Sequence, residues 1–461
     1  MNSSANNTIT HGFKLPIIIL YLVEFIFLGL LFFEEYKLAV VGVVLIFGLV
    51  ALYDFFENPF HLLPVFLLSI LAGSIEMGSS ELVFASSLFP LVIIVFLIKS
   101  FFEKSENFFE KYKVLIFFTS LFLIWSMFST MMAPNKPLAI AYWRNYLGGY
   151  TILFFGLLFI KNASQIRFVL MTFIAWGIIL AIIIFSITLS IGDFTTAIMK
   201  LFLYKNLLAT SWGRSNYFAA FYVLIIPITL GFLLTVNSRR LKIIFSIAIL
   251  LMFGALTFTL SKGGFLTLSL ALLVFISRVV KPKIFFSLLF IFAIGIAIIL
   301  LNPLTYLIID GLINVDSNLS TYSRINFYVD VWNTFLKNPI TGVGLANLGY
   351  FAKFKVTEDM AASAHNIILG TLGETGIVGS FLFLGALIWS FIQVVKNYIK
   401  EKNEKFKILQ WSFICAFIGV VLHSMMEPNL EGFQFAVMFW SFIAVSFKFS
   451  ELSEEEKAKV F

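Results

Sequence analysis

Charge is scarce in this sequence. Only 12% of its 461 residues are Asp, Glu, Lys or Arg, while 60% are hydrophobic; soluble domains carry about 25% charged residues. That leaves too little polar sequence to coat a soluble core of such size, which excludes a soluble multidomain enzyme. Cysteine occurs once, at Cys415, so no intrachain disulfide can form. The residue falls inside an apolar run and reads as inert packing. Histidine occurs four times, so each one invites inspection. Long polar stretches are nearly absent, with a single exception between Pro303 and Ala364. No internal repeat or low-complexity tract is present.

What fills the chain instead is a series of apolar runs, with a mean hydropathy of +0.98. A helix needs roughly 20 apolar residues to cross a bilayer. The runs at 15–33, 38–53, 60–74, 82–99, 113–132, 138–160, 166–190, 216–236, 241–260, 264–280, 284–302, 375–396, 407–424 and 431–448 are the expected spans. The third is short and contains Pro64, so it reads as re-entrant or merged with a neighbour. The expected fold is an all-α polytopic membrane protein with about twelve to fourteen transmembrane helices. The first run continues from Leu15 to Phe33 without a small-residue exit, which reads as a span and not as a cleavable signal. The 58 Phe residues are a matter of composition.

Loop charge sets the expected orientation. Alternate loops carry Lys99, Lys104, Lys111 and Lys113; Lys161 and Arg167; Arg239, Arg240 and Lys242; Arg278, Lys281 and Lys283; and Lys396 to Lys407. The opposite loops carry mostly Glu34, Glu35, Glu76, Glu81, Glu427 and Glu431. The positive-inside rule puts the first set, and both termini, in the cytoplasm. The net charge of +7 is then a matter of orientation and does not point to nucleic acid. The expected organisation is N-terminal helices over 1–205, helices bearing Arg214 and Lys262 over 206–302, a large outer loop over 303–364, C-terminal helices over 365–450, and a solvated cytoplasmic tail over 451–461.

Several basic residues fall on the outer side, against that rule. Arg144 sits in an aromatic setting that suits an interfacial anchor. Arg214 lies between Gly213 and the start of a span, where free N–H groups would reinforce an anion site; interfacial anchoring is the alternative. Lys262, in Ser261-Lys262-Gly263-Gly264, occupies a turn whose glycines permit close backbone approach. In the outer loop, Ile325, Tyr328, Val329, Trp332, Phe335 and Leu336 recur at helical spacing, which predicts an amphipathic helix able to lie on a membrane surface. Arg324 falls in its first turn, unfavourably for the helix dipole, so an anionic partner fits it. Asn338-Pro339 stops the helix and Gly342-Val343-Gly344 turns the chain. His365-Asn366 opens the next helix, with Ser363 as its expected cap. Asp310, Asp316 and Asp330 are scattered, and the loop contains no Asp-x-Asp pair or His/Cys cluster, so no metal site is expected.

Taken in order, Gly213-Arg214-Ser215-Asn216-Tyr217, Ser261-Lys262-Gly263-Gly264, Ser323-Arg324, Trp332, Asn338-Pro339-Ile340-Thr341-Gly342-Val343-Gly344 and His365-Asn366 through Gly373-Glu374-Thr375-Gly376-Ile377-Val378-Gly379 resemble the motifs of the O-antigen ligase / Wzy-type polymerase family. The resemblance covers about 205–395. It implies a GT-C-like glycosyltransferase. Such an enzyme takes a glycan from undecaprenyl diphosphate at the outer face of the bacterial cytoplasmic membrane and passes it to a saccharide or lipid A-core hydroxyl. It also implies His365 as the group assisting the acceptor and Arg214, Lys262 and Arg324 as the diphosphate cradle, with Arg324 also catalytic. Asn366, Glu374, Gly342, Gly344 and Trp332 would be supporting residues, with no cofactor and with polysaccharide-assembly membrane proteins as partners. One departure is visible: the family often has Arg where this chain has Lys262, and Lys keeps the charge without bidentate geometry.

The rival class is a transporter or flippase for lipid-linked sugars. It would show paired broken spans and charges inside helices, yet only Glu24 is plainly placed within a span. A membrane scaffold would leave the outward cations without a purpose. Ligase against polymerase, the sugar, its linkage, chain length and oligomeric state are not legible.

Overall fold

In lipid, backbone polar groups have no water to bond, so the apolar runs must become helices. The computed structural model shows this. It describes residues 50–72, 74–77, 80–102, 107–208, 215–287, 326–351 and 364–461. The expected spans at 15–33 and most of 38–53 and 284–302 lie outside those residues, as does much of the outer loop.

The expected third span is a one-turn 3-10 helix, Pro59–His61, running into a short helix α1, Leu62–Ala72. An antiparallel hairpin follows, β1 Ser74–Met77 and β2 Ser80–Val83, with Glu76 opposite Glu81 in register. Helix α2 is Phe84–Phe102, α3 Phe108–Met131, α4 Lys136–Phe159, α5 Ala163–Ile191, α6 Phe194–Leu203, α7 Ser215–Thr235, α8 Arg239–Phe258 and α9 Lys262–Val279. The described part of the outer loop contributes helix α10, residues 326–337. Then come α11 Ile367–Lys400, α12 Glu404–Ser424, α13 Phe433–Glu451 and α14 Glu454–Ala458. Among the described residues, eight helices are long and apolar enough to cross a membrane: α3, α5, α7, α8, α9, α11, α12 and α13. This is a multi-pass membrane protein. Helix α4 has the length, but Arg144 and Asn145 interrupt its apolar stretch.

The starts of these helices follow from local chemistry. Asn135, Asn162, Ser238, Ser261, Asn403 and Ser453 each accept a first-turn amide, at Leu138, Gln165, Leu241, Gly264, Lys405 and Glu456. These caps satisfy donors that would otherwise be stranded.

Helices α7 and α13 form the centre, with 83% of each apolar window buried, against 28% for α8 and α9. Small residues let α13 lie close along α4: a Cβ on Gly149 would come within 2.6 Å of the Trp440 ring, and one on Gly156 within 2.7 Å of the Ala444 methyl. Close backbone approach through small residues is how helices gain contact where lipid offers no hydrophobic drive.

The basic loops gather at one end of the bundle, where polar side chains clasp the helix ends. Glu451 takes Tyr112, Lys111 at 2.7 Å and Lys448 at 2.9 Å. Arg278 reaches Glu404 and Tyr398, each at 2.8 Å. The tail, expected to be solvated, is docked here instead. The Lys457 ammonium meets Glu401 at 2.6 Å with both side chains buried, and lies over the Phe406 and Phe449 rings. Val460 is fully buried, and Phe461 stacks on Phe406 with ring centroids 5.8 Å apart. The charges of Glu454 to Lys457 suggest a solvated end, but the aromatic floor under Lys457 holds it in.

Removing one member of a buried ion pair costs about 3–5 kcal/mol. Lys457→Ala is therefore expected to lower the unfolding temperature of the purified protein, and K457M combined with E401L to restore most of it. A K457A protein that melts like the parent would show that the tail does not dock.

Candidate functional site

At the opposite end, α11 contains a break that organises everything around it. Gly376 has φ +68, outside helical values, inside an otherwise continuous helix. In a regular helix the Ile377 amide would bond to the Gly373 carbonyl. Here the Ile377 amide donates to Pro339 at 2.8 Å, and the freed carbonyls of Gly373 and Glu374 are taken by the amides of Val343 at 3.0 Å and Gly344 at 2.9 Å. The Asn338–Gly344 turn thus replaces the hydrogen bonds that the break removes. Fit is tight enough to demand glycine. A Cβ on Gly376 would come 2.1 Å from the Ile340 carbonyl oxygen, and one on Gly342, at φ +66, 2.4 Å from that of Glu374. Helix α3 fastens both strands of the seam: Trp125 Nε1 donates to Thr375 O at 2.9 Å, and Ser129 Oγ lies 2.8 Å from Thr341 O and 2.7 Å from Glu374 O.

His365 stands at the mouth of α11. Its backbone is left-handed, φ +46, uncommon for a residue with a side chain. The next residue, Asn366, caps the helix by accepting the Ile368 and Leu369 amides at 3.0 and 3.1 Å; the sequence-based expectation was Ser363, which lies outside the described residues. His365 Nδ1 lies 3.0 Å from Glu427 Oε2, with both side chains mostly buried; an ionised carboxylate only accepts, which assigns the proton to Nδ1. A bond that spends Nδ1–H leaves Nε2 with its lone pair, which fits an imidazole to receive a proton.

Glu427 belongs to the short connection between α12 and α13. His423 closes α12, fully buried, with Nδ1 2.6 Å from Asn429 Nδ2. Asn429 also donates to the Glu427 carbonyl at 2.9 Å, so the connection is braced from within. Glu431 follows, its carbonyl held by Asn145 Nδ2 at 2.8 Å. Burial pushes the Glu431 carboxyl up to about 8. Lys262 opens α9 nearby. The Cβ position of its neighbour Gly263 lies 3.8 Å from His423 Nε2. Lys262 is exposed and makes no ion pair among the described residues. A free cation at a helix N-terminus is electrostatically costly, and an anionic ligand would offset it.

Of the expected site residues, the structure brings His365, Asn366, Glu374, Gly342, Gly344 and Lys262 to this one end. Arg214 and Arg324 lie outside the described residues. Trp332 is apart from the His365 contact: it is exposed on α10 and packs on Phe335, with centroids 5.4 Å apart. The expected apolar stripe of α10 faces outward, with Val329, Trp332 and Leu336 exposed, while Phe327 and Val331 meet the protein against Val343 and Leu348. The outward stripe is the face expected to lie on a membrane surface; the contact with the protein, through Phe327 and Val331, is a second apolar face that the stripe does not include. Glu374 is fully buried, and its carboxylate has no hydrogen-bond partner among the described residues. Sequence reasoning missed Glu427 and Asn429 as partners. The signal available was the compact run His423-x3-Glu427-x-Asn429-x-Glu431 between two apolar segments. Among the described residues, no group of three or more His, Cys, Asp or Glu could hold a metal ion.

A family model described as O-antigen ligase matches residues 247–384, narrower than the 205–395 of the resemblance. The matched segment includes Lys262, the glycine turn, His365 and the Gly376 break, but not Glu427. A Rickettsia conorii protein named as a candidate polysaccharide ligase is 26% identical over 330 residues, covering 68% of this chain and 74% of that relative.

The seam makes a direct prediction. Gly376→Ala places an L side chain at φ +68, ψ −171, a region adopted essentially only by glycine, which costs about 1–3 kcal/mol before the clash with Ile340 is counted. Hydrogen exchange at the Ile377 amide is expected to accelerate and the unfolding temperature to fall. Unchanged protection at Ile377 would mean that the seam survives without glycine.

Proposed function

We propose that the chain is a glycosyltransferase of the O-antigen ligase type, a reading supported by the match of residues 247–384 to that family's model and by the similarity to the Rickettsia conorii protein. From that premise we propose that it moves a glycan from undecaprenyl diphosphate to an acceptor hydroxyl at the outer face of the cytoplasmic membrane. The observation that carries this reading is the His365–Glu427 pair at the end of the bundle opposite the basic loops. The positive-inside rule turns that end outward.

The step balances as a direct displacement. Nε2 of His365 takes the proton of the acceptor hydroxyl as its oxygen bonds to the anomeric carbon. The bond from that carbon to the diphosphate oxygen breaks, and its electron pair leaves with the lipid diphosphate. Glu427 holds the ring in the tautomer that can accept and stabilises the imidazolium, as a carboxylate does behind a catalytic histidine elsewhere. Lys262, with Arg214 and Arg324 by the family resemblance, would face the diphosphate and the charge that develops on it. The outward apolar stripe of α10, Val329, Trp332 and Leu336, suits the surface of the bilayer from which a lipid-linked donor enters.

The test is transfer by purified protein from undecaprenyl-diphosphate-linked repeat units, with and without a lipid A-core acceptor. A ladder of longer lipid-linked glycans would identify a polymerase, and product only with the core acceptor a ligase. Asn tolerates left-handed backbone, so His365→Asn removes the base without straining residue 365. It is expected to slow transfer about 10²–10⁴-fold. Glu427→Gln, which keeps the shape and loses the charge, is expected to slow transfer by up to about 10⁴-fold, the loss seen when the carboxylate behind a catalytic histidine becomes an amide. Full activity in H365N would take His365 out of the chemistry. No donor consumption under any condition would overturn the enzyme reading and favour a lipid-linked sugar transporter.

A further inference from the structure

Behind His365 lies a polar group that the transfer chemistry does not use. Glu374 is fully buried in α11, and Glu431 is 3% exposed in the connection before α13. Among the described residues, both oxygens of Glu374 and Oε1 of Glu431 lack a hydrogen-bond partner. The Ala346 amide approaches Glu374 without closing a hydrogen bond to either oxygen. Glu431 Oε1 sits beside Gly370, one helical turn before Glu374 on the same helix, so the two carboxyls are neighbours, and Glu374 feels the charge of Glu431. Tyr146, on α4, feels both; it is 1% exposed, and its hydroxyl is also unpartnered. The cluster reaches the site through Gly370. Glu431 Oε1 lies 3.1 Å and the Ala364 methyl 3.6 Å from where a Cβ on Gly370 would sit. Thus Glu431 borders the residue before His365.

Two ionised carboxylates at close range in a buried place repel each other, and the desolvation of each goes uncompensated. A salt bridge would answer this, but neither makes one among the described residues. Among the other titratable and charged side chains on the packed elements are Tyr142, Arg144 and Tyr150 on α4, Tyr217 on α7, Lys262 on α9, His423 on α12, and Glu427 and His365. Arg144 is exposed, with its guanidinium over the Phe433 ring, and Glu427 is engaged with His365.

We propose that Glu374 and Glu431 form a proton-binding site: together they hold one proton, and the protonated member and Tyr146 supply the donors that the cluster lacks. One shared proton turns two repelling anions into a donor–acceptor pair with a single charge, the arrangement that two close carboxyls adopt when both cannot ionise. Burial raising Glu431 to about 8 agrees with it. The site does not depend on the transfer reading, and its test reads no activity.

The experiment is infrared spectroscopy of the purified full-length protein at neutral pH, comparing wild type with Glu374→Gln, Glu431→Gln and the double change. The expected wild-type-minus-double difference is one carboxylic acid and one carboxylate. Two carboxylates, or two acids, would overturn the proposal. Should the double variant not fold, melting curves of E431Q serve. A carboxyl raised from 4.5 to about 8 on folding binds its proton more tightly when folded. Stability is then greatest below about 4.5 and falls as pH rises toward about 8. Wild type should show that fall and E431Q should flatten it. An equal slope in both, or a melting temperature raised by sodium, magnesium or calcium only when both Glu residues are present, would overturn the shared proton; the latter would mark a cation site.

Discussion

Backbone hydrogen bonds cannot go unmade in an apolar environment, and the break at Gly376 obeys that constraint in an unusual way. A helix crossing lipid normally closes its own bonds. Here α11 opens, and the carbonyls it releases, those of Gly373 and Glu374, are closed by the amides of Val343 and Gly344 in a turn far earlier in the chain. The consequence is rigidity where a loop would otherwise wander. The Asn338–Gly344 turn, the end of α3 and the first turns of α11 become one unit. His365 therefore projects from a fixed base. A site built on such a base can hold its side chains in working geometry before any ligand arrives.

The two histidines at this end show how burial divides labour. His423 and His365 both lie within reach of the 427–431 connection. His423 is fully buried, and its Nδ1 is engaged by Asn429, so it braces the connection from within. His365 keeps partial exposure and pairs with a carboxylate. The bracing serves the pairing, because Asn429 also holds the Glu427 carbonyl. In this way one histidine places the carboxylate that orients the other.

What was legible in the sequence was what is local. Span positions follow from apolar runs, and helix starts from Asn and Ser at their caps, because a cap needs only its own first turn. The glycine turn and the Gly373-Glu374-Thr375-Gly376 motif were visible as motifs, but not as two sides of one seam, since the pairing joins segments far apart in the chain. His365 was visible as a rare residue, whereas its partner was not. Glu427 and Glu431 entered the reading as members of an acidic loop set that fixed orientation. Averaging over loop charge answers a topological question and hides what each carboxylate touches. The tail was misread for a related reason: charge along Glu454 to Lys457 says solvent, and only tertiary packing reveals Glu401 and two aromatic rings beneath the ammonium.

The two ends of the bundle meet the cost of charge in different ways. At the basic end, the buried or half-buried carboxylates of Glu401 and Glu451 each have a cation or hydroxyl within bonding distance. That is an arrangement for holding helices together. At the other end, among the described residues, Lys262 is left without a carboxylate, and Glu374 and Glu431 without a cation. An end designed only for stability would have brought such groups together. Keeping them apart leaves a positive charge at the surface and negative charge behind it. An anionic lipid-linked donor would meet the cation first and leave the carboxyls facing only the protein. The unpaired charges are thus more economically explained as features of a site than as defects of packing.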